Sequence, residues 1–285
     1  MRKSLARVAQ GGAVVVLAYE VHGTGEPIVL IHGVGHRRQA WDPIVPLLAN
    51  DFQVITIDLP GFGESGPLVM KKGHAEDALR KELIETVAFL GIENPHVVGN
   101  SLGGLIALEI AHDGRAKSAT ALSPAGFWDG EADFTYINLL FNSVLTAATF
   151  ARPIARPLLS TALGRKVLLS WLNTHAENIP PEVAYGDFKA LAAAAPNVRR
   201  LLAEHYQFEG DIDVPATVAW SEKDRVLLPY QARRAARLLP NAQHITLAGV
   251  GHVPMWDDPE LVAETIRDTV ARASAPARKK KVARA

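Results

Sequence analysis

The chain has 285 residues, 48% of them hydrophobic, and its 30 lysines and arginines are matched by 30 aspartates and glutamates. That length supports one domain with an insertion and a substantial core, and the even charge argues against nucleic acid and in favour of a neutral small-molecule partner. The absence of cysteine removes disulfides, thiolate metal sites and a cysteine nucleophile, and fits a reducing, cytoplasmic location.

The amino terminus is basic and then apolar, the outline of a signal peptide, but Gly11 and Gly12 interrupt it. The valine-rich run from Ala13 to Val21, closed by His22-Gly23-Thr24-Gly25, reads as a strand and a turn. Nowhere is there a long uninterrupted apolar run, so no span of the membrane is expected. Continuous apolar runs follow at 28–31, 54–57, 97–98, 119–122, 216–220 and 244–247, the mark of strands covered on both faces. Helical patterns lie between them: Leu79, Leu83, Val87 and Leu90 recur at helical spacing before Gly91. Strand and helix in alternation predict an α/β fold with a mostly parallel central sheet flanked by helices.

The rhythm breaks between 125 and 210. Four helices are predicted there, at 136–150, 157–173, 181–194 and 197–206, separated by proline and glycine. We therefore expect a core made of 1–124 and 211–272, a helical insertion at 125–210, and a solvated basic tail at 273–285 containing Lys279-Lys280-Lys281. No repeat or nucleotide fingerprint occurs, and His32 and His36 lack the neighbours of a metal site, so neither cofactor nor metal is expected.

Chemistry concentrates at Val97-Val98-Gly99-Asn100-Ser101-Leu102-Gly103-Gly104. A strand, a G-x-S-x-G turn and a helix form the context in which the serine stands exposed on a strained elbow, with glycines where side chains would collide. The helix that follows directs its free N–H groups at the serine, so the amide of Leu102 is a candidate oxyanion donor. Serine needs a base, and among ten histidines His252 follows the last strand on the loop Gly249-Val250-Gly251-His252, at the carboxyl end of the sheet. Asp224, on the loop after the strand at 216–220, is the candidate for orienting that imidazole, with Glu222 as runner-up. The glycines of Gly33-Val34-Gly35 let backbone approach a carbonyl closely, which nominates the amide of Val34, or that of Gly35, as the second donor. Phe127, Trp128, Phe134, Phe141 and Trp171 are candidates for an apolar substrate pocket, or equally for the insertion's own packing.

Taken together, LIHGVG (30–35), DLPGFGES (58–65), VVGNSLGG (97–104), WSEKDRVLLP (220–229) and AGVGHVPMWDDP (248–259) resemble the α/β-hydrolase superfamily, in particular its lid-bearing carboxylesterase and lipase-like members. The resemblance covers nearly the whole chain outside the insertion. It implies the fold of that name, Ser101 as nucleophile, Asp224 as acid, His252 as base, Val34 and Leu102 as oxyanion amides, and the insertion as a lid. A small ester or acyl compound is the implied substrate. Dehalogenases and epoxide hydrolases of this fold carry aspartate where Ser101 stands. Carbon–carbon hydrolases of ring-fission products share G-N-S-x-G-G, but Val34-Gly35-His36-Arg37 departs from their usual Gly-Pro-Gly run. A ligand receptor that retains the hydrolase shell is a further reading. Asp58, Gly61 and Gly63 in DLPGFGES read as a scaffold turn after a strand.

Overall fold

The computed structural model describes residues 2–10, 13–68 and 75–274. Eight strands form one sheet: β1 (Arg2–Gln10), β2 (Ala13–His22), β3 (Glu26–Ile31), β4 (Phe52–Ile57), β5 (His96–Asn100), β6 (Ser118–Leu122), β7 (Ala216–Ser221) and β8 (Gln243–Leu247). Their order is β1-β2-β4-β3-β5-β6-β7-β8. β1 pairs antiparallel with β2 and β2 antiparallel with β4, while β3 to β8 run parallel. β1, with Arg2, Lys3 and Arg7 in its sequence, carries no continuous apolar run and was not expected; its pairing with β2 along its own whole length makes it one.

The uninterrupted apolar runs lie where both faces are covered. Ile28 to Ile31 on β3 are fully buried, and every residue of β5, β6 and β7 is buried. β8, at the sheet edge, is mostly open. The flanking helices are α1 (Val45–Leu48), α2 (Ala75–Phe89), α3 (Leu102–His112), α4 (Glu131–Ser160), α5 (Ala162–Leu168), α6 (Pro181–Ala193), α7 (Ala195–Ala203), α8 (Ala232–Leu238) and α9 (Pro259–Ser274). The basic tail expected at 273–285 lies, beyond Ser274, outside the described residues.

Between β6 and β7 the described chain is helical, α4 to α7. The break expected between 150 and 157 does not occur: α4 runs unbroken through Pro153 and Pro157. The carbonyls that these prolines leave without an N–H partner, those of Thr149 and Pro153, belong to exposed residues, where water can satisfy them. α4 is also long and apolar enough to cross a bilayer, which the sequence reading did not anticipate. Phe134, Ile137, Phe141 and Leu145 on its inner face are buried in the main core, so the helix lies on the fold.

The parallel strands bring the loops after β3, β5, β7 and β8 to one edge of the sheet, the carboxyl ends of the strands. All the candidate catalytic residues sit there.

Candidate active site

The elbow is built from backbone. Ser101 adopts φ 57° and ψ −117°, a left-handed conformation that is costly for a residue with a side chain. Its N–H donates to the Leu122 carbonyl on the neighbouring strand (2.9 Å), and its carbonyl accepts from Leu105 N (3.0 Å) and Ala125 N (3.1 Å). Those bonds hold the strained turn in place. The flanking glycines have no room for a substituent: a Cβ at Gly99 would strike the Gly103 carbonyl, and one at Gly103 would strike the carbonyls of Ile31 and His32. Close contact of α3 with β3 and β5 is what turns the chain so sharply.

The loop after β3 rides directly on this elbow. A Cβ at Gly33 would lie 3.1 Å from Ser101 Cβ, and the turn is closed by His36 N donating to Gly33 O (3.2 Å). His32 is fully buried; its Nε2 accepts from Leu59 N (2.9 Å) while Nδ1 donates to the Gly33 carbonyl (2.8 Å). Burial lowers its pKa and keeps the ring neutral, which the Leu59 bond requires. His32 is a brace between two loops and has no hydrogen left at Nε2 to give.

His252 and Asp224 are brought together from different loops: His252 Nδ1 donates to Asp224 Oδ2 at 2.8 Å, and both side chains are buried. The other carboxylate oxygen, Oδ1, accepts from Val226 N (2.8 Å) and Leu227 N (2.9 Å). Asp224 is thus fixed at both oxygens, and the imidazole is left with Nε2 as its free acceptor. Glu222 is an exposed brace for the same loop, accepting from Gly249 N at 2.7 Å.

Asn100 ties the histidine loop to the elbow. Its buried amide donates to the backbone carbonyl of His252 (2.8 Å) and to that of Leu122 (3.1 Å), so the residue preceding Ser101 holds the histidine in register with it. The motif alone offered Asn100 only as a likeness to carbon–carbon hydrolases; the tether depends on a residue 152 positions away. A second set of bonds fastens the histidine loop to the helical segment: Asn173 Nδ2 donates to Val253 O (2.7 Å), Val253 N to Leu172 O (3.1 Å), and Asp257 accepts from Gly251 N, Thr174 N and His175 N.

A strained serine elbow, a buried His–Asp pair and a glycine turn thus lie at the carboxyl ends of a parallel sheet. The family signature described as the alpha/beta hydrolase family matches residues 28–265. The chain belongs to this family. Its relatives include the candidate carbamate hydrolase RutD of Stutzerimonas stutzeri, 28% identical over 89% of this chain and 96% of that protein. Lipase 3 of a Moraxella species is 27% identical over 90% of this chain and 79% of its own length. Among solved structures, a thermophilic esterase from Thermogutta terrifontis superposes with a TM-score of 0.71 at 21% identity, covering 96% of this chain and all (100%) of its own. The family match and the lipase and carbamate hydrolase relatives support hydrolase activity, and the solved structure shows the fold.

Two cavities flank Val34 in this hydrolase. The smaller, about 60 Å³, is lined by Ser101, Leu102 and Val34 together with Trp128, Phe134 and Phe141. The larger, about 200 Å³, lies under α4, α5 and α6 and is lined by Val34, Trp171, Leu172, Phe188, Leu191 and Val253 among others. Phe127, nominated as a pocket residue, lines neither. It is fully buried between Phe208 and Trp220 (ring centroids 5.6 and 6.4 Å away), beside Gly126, whose carbonyl accepts from Phe208 N (2.9 Å).

The larger cavity is mostly apolar, and its polar lining includes His36, Asn173 and Asp187. Burial, with the charges of His32, His252 and Arg37, lowers the His36 pKa to about 3, and its Nδ1 has no hydrogen-bond partner. Burial raises the Asp187 pKa to about 7 against the opposing pull of Arg37, whose Nε donates to Asp187 Oδ1 at 2.8 Å. Nothing in the sequence signalled the Arg37–Asp187 pair, since Asp187 lies in α6, 150 positions from its partner.

The turn after β4 is structural. Arg38, nearly fully buried, pairs with Asp58, with Glu20 (3.0 Å) and with Glu64 (2.8 Å), while Asp58 also accepts from Arg38 N (2.6 Å) and Glu64 N (2.9 Å). A Cβ at Gly63 would strike the Asp58 carboxylate. Among the described residues no group of three or more metal-ligating side chains converges.

Proposed function

We propose that this hydrolase is a serine carboxylesterase acting on small to medium apolar esters, with residues 125–210 as its lid. The observation that carries the reading is the buried His252–Asp224 pair, tethered by Asn100 to the strained elbow of Ser101. In this reading Ser101 Oγ attacks the ester carbonyl carbon and its proton passes to His252 Nε2. The carbonyl π electrons move onto oxygen, where the amides of Leu102 and Val34 stabilise the charge; each such donor contributes about 3 kcal/mol to the transition state. The C–O bond to the alcohol then breaks, and His252 returns the proton to the departing oxygen. Water, deprotonated by the same nitrogen, clears the acyl-enzyme. Asp224 holds the imidazole in the productive tautomer and stabilises its charged form.

The cavity holding Ser101 accommodates only a small group, so the acyl or alcohol part of greater bulk belongs in the 200 Å³ cavity beyond Val34. That volume exceeds the ~150 Å³ cavity known to hold benzene, which favours a ring or a medium alkyl chain. The test is a panel of p-nitrophenyl esters from acetate to decanoate, with a carbamate and a vinylogous diketone included, run on the wild type and Ser101→Ala. We expect hydrolysis that peaks at medium chain length, fluorophosphonate labelling of the wild type, and loss of both in Ser101→Ala by more than about 10³-fold. Preference for the diketone would assign carbon–carbon cleavage instead, and binding without turnover would assign a receptor.

A further inference from the structure

α6 sits on the turn that carries Val34. Its residues Val183, Asp187 and Leu191 recur every fourth position and so share one face. All three meet the turn after β3. The Val183 carbonyl accepts from Arg37 Nη2 (3.1 Å), Asp187 Oδ1 accepts from Arg37 Nε (2.8 Å), and Leu191 packs on Gly35, where a Cβ would strike its Cδ1. Beside Asp187 lies Gly186, where a Cβ would strike the Arg37 guanidinium. The cation therefore rests directly against bare α6 backbone.

Apart from α6, hydrogen bonds fasten this turn at its ends. His32 Nδ1 donates to the Gly33 carbonyl at one end. At the other, Arg38 is buried against Asp58, Glu20 and Glu64, and Ala40 N donates to Arg37 O (3.0 Å). Between them the backbone is closed by His36 N donating to Gly33 O, and among the described residues the N–H groups of Val34 and Gly35 donate to no protein group. An oxyanion donor is effective because it is fixed before charge develops, and losing one costs about 10²–10³ in kcat. An amide on so lightly bonded a turn owes its position to the helix seated on it.

We propose, on the reading of Val34 as an oxyanion amide, that Arg37 is a positioning residue: held by Asp187 and Val183 of α6, it fixes the turn that presents the Val34 N–H to the reacting carbonyl. The helical insertion thereby completes the oxyanion hole. Arg37 acts through the turn and touches no reacting atom. The charge it helps to stabilise exists only in the transition state, so a loosened turn lowers kcat and kcat/KM together and leaves KM nearly unchanged.

Gly186→Ala separates this role from a purely structural one. Alanine is the better helix former inside α6, but its Cβ must push the guanidinium off Asp187 and Val183. The variant should melt no lower than wild type, while kcat for p-nitrophenyl butyrate falls about tenfold and KM stays within about twofold. Arg37→Met, which keeps an apolar stem and removes both hydrogen bonds, should show the same split. The assays are run at about pH 8, above the Asp187 pKa of about 7, so that the pair is ionised. Hydrogen exchange reads the turn without any substrate: the His36 amide should exchange at least about tenfold faster in both variants, and the Leu105 amide, bonded to Ser101 O, at the wild-type rate. Unchanged His36 exchange in both overturns the proposal whatever the activity. Faster exchange with kcat unchanged, in a wild type whose activity Ser101→Ala abolishes, overturns the role in catalysis, as does a kcat loss seen only with a fall in melting temperature. A wild type that neither hydrolyses an ester nor takes a fluorophosphonate label overturns the ester reading and the catalytic role together, even where the exchange rates uphold the clamp on the turn.

Discussion

Replacing Asp224 with asparagine tests the site at its most informative atom. The carboxylate oxygens have separate duties: Oδ1 accepts two backbone N–H bonds, from Val226 and Leu227, while Oδ2 accepts from His252 Nδ1. Asparagine can keep an oxygen at only one of these positions. Presenting its NH2 to Val226 and Leu227 would set donor against donor in a buried site and forfeit two hydrogen bonds, at about 1–3 kcal/mol each. Presenting it to His252 forfeits one. The side chain is therefore held with nitrogen toward the imidazole, which must then accept at Nδ1 and carry its proton on Nε2. In that tautomer it has no lone pair for the Ser101 proton. The same tautomer reversal in a serine protease lowers kcat about 10⁴-fold, or about 5.5 kcal/mol of barrier, and a loss of that order is expected here in kcat for p-nitrophenyl butyrate. KM and thermal stability should change little, since the amide preserves size and the loop bonds. Glu222→Gln should keep full rate. An Asp224→Asn enzyme retaining more than a tenth of wild-type kcat would refute the assignment of the acid and the tautomer argument together.

Other expectations follow from the same geometry. Gly103→Ala should destabilise by more than about 2 kcal/mol although alanine is the better helix former, because its Cβ meets strand carbonyls that cannot retreat; an unchanged melting temperature would contradict the elbow packing. Arg38→Ala strands Asp58 in the core and should cost about 3–5 kcal/mol in chemical denaturation. Asp187 has a folded pKa raised to about 7, so the unfolded chain ionises first as pH rises. Its contribution is therefore complete below pH 4 and is lost between about pH 4 and 7. The melting temperature of wild type relative to Asp187→Asn should fall across that window, and a rise would show that the Arg37 pair outweighs burial.

The sequence by itself determined the strands and the elbow. Runs such as Ile28 to Ile31 can only be covered on both faces, and Gly99 and Gly103 flank Ser101 because a strand-to-helix turn this tight excludes side chains. These are local facts, set within a few residues by sterics and hydrophobicity, and so they are legible in a line of letters. β1 was not, because its sequence lacks the pattern and only its partner strand makes it one. Nor could helix-breaking residues reveal that α4 continues through Pro153 and Pro157, since that depends on which face meets water.

Only the tertiary structure decided which acid meets His252, that Asn100 tethers the histidine loop, that Phe127 belongs to the core, and that Asp187 pairs with Arg37. Each of these joins residues tens to hundreds of positions apart. Their partners are chosen by where the sheet order brings the loops together and by how much water burial removes, and neither is written at any single position.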